Sequence, residues 1–150
     1  MSSARVLLLA YLGVLAVLVF LPFGRGMDLG DRLNVDPFAT IDRAFELGPR
    51  SLSFRLMLGN IAAFVPFGLL LPFAFRLRWP VLSVGVAALA LSVVIELGQS
   101  AISSYLGYAY RSTDVDDVIL NVLGALIGAL VFTVIQFART VGAESTESGT

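Results

Sequence analysis

Four stretches of this chain, residues 6–23, 56–75, 79–102 and 117–137, are each apolar over the roughly 20 residues that a helix needs to cross a bilayer. No other feature constrains the fold as tightly. In hydrocarbon every backbone polar group has to be satisfied within the segment or by a closed barrel, so four such stretches predict an all-α, four-span transmembrane helix bundle covering residues 1–139. The composition agrees, with 57% hydrophobic and only 14% charged residues, against roughly 25% charged in a soluble domain. The first span follows a lone Arg5. It is too long for a signal-peptide core and lacks an A-x-A cleavage site, so it reads as a retained anchor. The second carries Asn60, Pro66 and Pro72, and its prolines need not break it where neighbouring helices satisfy the freed carbonyls. The third carries Glu96 and Gln99, and the fourth Asn121.

The missing residue types exclude whole chemistries. With no Cys there is no thiolate or disulfide, and with no His there is neither an imidazole base nor a usual zinc ligand set. All ten basic residues are Arg, which together with abundant Ala, Val, Leu and Gly fits a GC-rich bacterial genome. A net charge of -1 offers no bulk attraction to nucleic acid.

Between the first two spans, residues 24–55 hold five Arg and five acidic residues, too polar to cross. Phe38, Ile41 and Phe45 fall there at i, i+3, i+7, which leaves a short interfacial helix and a solvated loop both open. Residues 140–150, TVGAESTESGT, have nothing apolar to bury and read as a disordered tail. The strings LPFG, VPFG and LPFA occupy different places relative to their spans, so they are not a repeat. A bare count of Arg favours the first and third loops as cytoplasmic. The positive-inside bias acts mainly in short loops, and FRLRWP between spans two and three is purely basic, so the reading leans to both termini inside.

Alternating spans put the start of span two, the end of span three and the start of span four on one side of the membrane. Asn60, Glu96, Gln99 and Asn121 fall at those three places, while the opposite halves of the spans are almost purely apolar. A hairpin near Tyr105 to Tyr110 would level Gln99 with about Asp117 and Glu96 with about Asn121. In the last span Arg111, Asp114, Asp117, Asn121, Gly124 and Gly128 step by 3, 3, 4, 3 and 4, which is one face of a helix. Gly124 and Gly128 form a G-x-x-x-G pattern that lets a second backbone come close. Capping and the helix dipole account for Asp116 after Ser112 and Thr113. Packing accounts for the glycines, and interhelical hydrogen bonding is as good a reading of Asn60 and Asn121 as ligand binding. A carboxylate within a span, as at Glu96, costs roughly 2.5–3.5 kcal/mol on the lenient scale, so it marks a functional candidate.

Four pieces in order, NIAAFVPFG from Asn60 to Gly68, Glu96-x-x-Gln99, Arg111-x-x-Asp114-x-x-Asp117-x-x-x-Asn121-x-x-Gly124, and RLNVDPFATI from Arg32 to Ile41, resemble the signature of the VanZ-like family of small bacterial membrane proteins. The last is similar to that family's N-L-x-P-F-x-T-I stretch, from which Asp36 departs by placing a charge in its apolar part. The resemblance spans residues 32–130 and implies a cell-membrane, multi-pass protein of the cell envelope, in a family named for an accessory factor in teicoplanin resistance.

Several functions can be built on the cluster. In one, it binds the head of a membrane lipid or a lipid-linked cell-wall compound, with Arg111 on phosphate and Asn60, Gln99, Asp114, Asp117 and Asn121 completing the substrate-binding set. In another, Glu96 is a catalytic acid or base and Asp114 and Asp117 hold a divalent cation such as Mg2+, although no nucleophile motif is visible and no cofactor is otherwise called for. A third makes Glu96 the coupling residue of a small proton-driven exporter, for which it lies too near one surface. The fourth is a membrane scaffold whose cluster only locks the bundle. The sequence leaves the oligomeric state open.

Overall fold

The computed structural model describes residues 2–20, 33–108 and 113–147. Within them the chain forms α1 (Ser3–Phe20), β1 (Leu33–Asn34), α2 (Ala39–Leu47), α3 (Leu52–Phe75), α4 (Pro80–Leu106), β2 (Thr113–Asp114) and α5 (Val115–Glu147). Four of the helices are long and apolar enough to cross a membrane: α1, α3, α4 and α5 as far as Gly142. This is the expected all-α bundle. Its helices overrun the apolar stretches by several residues, because polar ends prolong a helix once its apolar middle is formed.

The same propagation explains a departure at the C-terminus. Residues 140–147 continue α5 where composition predicts a disordered tail. Adding a residue to an existing helix gains one hydrogen bond without the cost of a new nucleus, and Ala and Glu are good helix formers.

The pair α3 and α5 forms the centre. Gly68 faces α5, while Gly124 and Gly128 face α3, and a methyl group at any of the three would overlap backbone of the other helix: the carbonyl oxygens of Ala125, Ile61 and Val65 respectively. Around this seam the core gathers Phe64, Phe67, Val84, Ala88, Ala125 and Ala129, with Leu8 and Leu15 supplied by α1. The rest of the large apolar side chains point outward. Leu7, Val86, Leu97 and Val134 are all more than half exposed, as side chains facing lipid tails would be.

Pro66 and Pro72 sit inside a continuous α3. Beside Pro66 the Tyr11 hydroxyl of α1 donates to the Ala63 carbonyl, next in the chain to the Ala62 carbonyl that the proline leaves without its helical donor. At the far end Arg5 Nε donates to Ala74 O at 3.0 Å and its guanidinium lies 5.5 Å from the Phe75 ring centroid.

Of the two options for the first loop, the chain takes the helix. Ala39–Leu47 packs Ala44 and Ile41 against Met57, Phe54 and Leu120, and turns Phe45 and Leu47 outward. Beside it β1 and β2 form a two-residue parallel bridge, pairing Leu33 with Thr113 and Asn34 with Asp114. That bridge ties the first loop to the start of α5.

Candidate functional site

Four buried polar residues mark α4: Ser92, Glu96, Gln99 and Ser103. Their spacing of 4, 3 and 4 lays them along one helix face. Over the 27 residues of α4, about 40 Å at 1.5 Å per residue, the stripe runs from the middle of the helix to its last turn. Groups from α1, β2 and α5 meet it, and α3 joins the cluster through α5.

From α1, the carbonyl of Val19 accepts from Gln99 Nε2 at 2.9 Å. From α5, Asn121 Nδ2 donates to Ser92 Oγ at 2.8 Å. At the mouth of the cluster Asp114 N donates to Glu96 Oε2 at 3.2 Å. From α3, Asn60 Nδ2 donates to Asp117 Oδ1. The α1 end, α3 start, α4 end and α5 start thus meet at one end of the bundle, as alternating spans require.

Asp114 is the N-cap of α5. Its Oδ1 accepts from Asp116 N at 2.9 Å, the second helical amide, as a capping side chain does. The same carboxylate reaches the first loop, with Oδ1 3.2 Å from Asn34 Nδ2 and Oδ2 accepting from Thr40 Oγ1 at 2.5 Å. Asn34 Nδ2 also lies 3.3 Å from Thr40 Oγ1.

Asp116 is fully buried and caps a different helix from its own. Its Oδ1 accepts from Phe38 N at 2.6 Å, and its Oδ2 from Thr40 N at 2.8 Å and Ile41 N at 3.2 Å. These are the leading amides of α2, whose own N-cap residue, Phe38, offers no side-chain oxygen. Phe38 has φ of 72°, a left-handed conformation that is costly for a bulky side chain, and the carboxylate holds it there. The Asn34-to-Thr40 motif is therefore explained by the hydrogen bonds it makes to Asp114 and Asp116. Asp36, the departure within it, is exposed, and its amide closes a turn on Asn34 Oδ1 at 3.1 Å, so its charge stays outside the packed interior.

Three expectations need correction. Glu96 and Asn121 do not face one another, nor do Gln99 and Asp117. Glu96 meets Asp114, and Asn121 meets Ser92, one turn away from the expected register. The extended pair Thr113–Asp114, at about 3.3 Å per residue where a helix covers 1.5 Å, carries the chain about 3.6 Å deeper before α5 begins, some two thirds of that turn. For the same reason Asp114 is not on the α5 face with Asp117 and Asn121. It stands before the helix and turns to the first loop. Asp116, read from sequence as serving its own helix, serves α2.

Arg111, expected on the same face, lies outside the described residues. Asp114 and Asp117 engage separate partners, and among the described residues no three acidic side chains gather in a metal-binding group. Sequence reasoning also missed Ser92 and passed over Ser103, although the 92, 96, 99, 103 spacing was there to be read. The Ser103 hydroxyl is buried and is the one side-chain polar atom so buried that has no hydrogen-bond partner among the described residues.

No curated protein and no solved structure matches the chain significantly. The family model described as VanZ/LLP1 matches residues 8–136, which takes in α1 from Leu8 onward, the first loop and every residue of the cluster. The chain belongs to the VanZ/LLP1 family.

Proposed function

We propose that the protein is a multi-pass protein of the bacterial cell membrane whose polar cluster binds the head of a cell-envelope lipid or lipid-linked cell-wall compound. The observation that carries this reading is the Ser92–Glu96–Gln99–Ser103 stripe, and above all its outermost member. A buried hydroxyl without a partner costs roughly 1–3 kcal/mol, and a helical serine ordinarily escapes that by bonding back to its own helix. Ser103 does not, and it sits at the surface end of the stripe where a ligand head would enter. Arg111 is assigned to phosphate in this reading, with Glu96 at the inner end as hydrogen-bond acceptor or as acid or base. Both termini are taken as cytoplasmic, which opens the cluster to the outer surface, where cell-wall precursors and teicoplanin-type glycopeptides act.

A second reading has its own support. Asn60, Gln99, Asp114, Asp116 and Asn121 all find partners within the chain, as they would if the cluster only locked the bundle. A divalent cation on Asp114 and Asp117 would first have to break those internal bonds.

Lipid mass spectrometry of purified wild type and Ser103→Ala decides between them. Removing an unpartnered hydroxyl leaves the fold as stable or more so. On the binding reading a lipid species enriched on wild type is lost from the variant while its melting point holds. An unchanged lipid profile overturns that reading. Turnover of the bound species that EDTA abolishes would make the site a metal-dependent enzyme.

A further inference from the structure

At the opposite end of the bundle, α1 and α4 begin and α3 and α5 end; Arg5, Arg76, Arg78 and Arg139 lie there, with Glu144 and Glu147 further out along the last turns of α5. Arg5 is engaged on α3. Arg76 and Arg139 instead line a cavity of about 550 Å³ between the α3–α4 turn and α5, together with Gln136 and Thr133. The guanidinium of Arg139 lies 5.8 Å from the Phe73 ring centroid, which fixes its direction. Arg76, in the left-handed C-cap of α3, is exposed. Neither arginine forms an ion pair with a carboxylate among the described residues.

Pro80 and Thr133 also line a second space of about 680 Å³, an apolar groove between α4 and α5 that has Arg78 at one end and passes Val81 and Leu82, then Val86, Leu89 and Leu126. The arginine-lined chamber and the apolar groove therefore lie side by side, with Pro80 and Thr133 between them. Two arginines suit a phosphate, which accepts their forked donors, and the groove suits one hydrocarbon chain. A zwitterionic head would bring its own cation against the same two guanidinium groups.

We infer that this second surface holds one anionic phospholipid, its phosphate between Arg76 and Arg139 and an acyl chain in the α4–α5 groove. The site shares no residue with the polar cluster and does not depend on what that cluster binds.

Native mass spectrometry of the full chain in detergent tests it, with phosphatidylglycerol or phosphatidylcholine of identical chains added in turn. Wild type is expected to retain one phosphatidylglycerol roughly thirtyfold more strongly than phosphatidylcholine, the size expected of two basic contacts near a surface. The double variant Arg76→Gln, Arg139→Gln retains the two lipids equally, and Val86→Trp, which fills the groove, weakens both. Arg76, Arg139 and Val86 are exposed, so these changes leave the packed interior alone. Equal retention by wild type would mean annular lipid only and overturn the proposal, as would a preference that survives the double variant. Retention of both lipids unchanged by Val86→Trp would overturn the assignment of the chain to the groove.

Discussion

Asp116 shows how much one side chain can organise here. It is buried, it begins α5, and it accepts three backbone amides from the start of α2, some 75 residues earlier in the chain. Hydrogen bonds to a charged acceptor are worth about 1.5–3 kcal/mol each, and amides left unmet cost a similar amount. Replacing Asp116 by Ala is therefore expected to release α2 and to lower the melting temperature in detergent by about 10 °C or more. Asp116→Asn, which keeps one acceptor oxygen, should lose less. Equal melting of wild type and Asp116→Ala would show that α2 is held by its apolar contacts alone. Sequence alone could not assign this role: an Asp in the first turn of a helix looks like a local cap, and only the fold shows that the amides it meets belong to another element.

At the scale of elements, the α3–α5 seam sets the distance between the two helices that carry Asn60 and Asp117. A β-carbon at Gly68, Gly124 or Gly128 would meet backbone rather than a movable side chain. Each Gly→Ala change should thus force the helices apart at a cost of about 1–3 kcal/mol or more. Gly59→Ala on the same α3 helix meets nothing within 4 Å and should be neutral or mildly stabilising. Thermal melting of the four variants checks this, and similar losses in all four would contradict a close seam. The G-x-x-x-G pattern was legible because it depends only on helical periodicity, as were the four spans and the end of the bundle at which the polar groups collect. The partner of each polar group was not legible. Pairing depends on the depth at which α5 enters, and two extended residues, Thr113 and Asp114, shift that depth by about 3.6 Å, most of a helical turn. The stripe through Ser92 and Ser103 was within reach, but serine is common in membrane helices and gave no signal beside a carboxylate.

The whole molecule carries two different surfaces at the two ends of one bundle: a hydrogen-bonded polar cluster at one, an arginine-lined chamber at the other. The absence of cysteine makes this easy to test. Single cysteines at Ser51 and Tyr105 should react with an impermeant maleimide from one side of the cell membrane, and a cysteine at Trp79 only from the other. With both termini inside, the first two label from outside, and labelling of Trp79→Cys from outside would reverse the orientation. Whether the cluster is a site and not merely a lock turns on Glu96→Gln. The amide oxygen of Gln can still accept from Asp114 N, so the bundle keeps its hydrogen bond while the carboxylate is lost. Measured as cell-envelope drug sensitivity at matched expression and matched melting temperature, the variant is predicted to lose the wild-type phenotype. A fully folded Glu96→Gln protein that retains the whole phenotype would contradict the account.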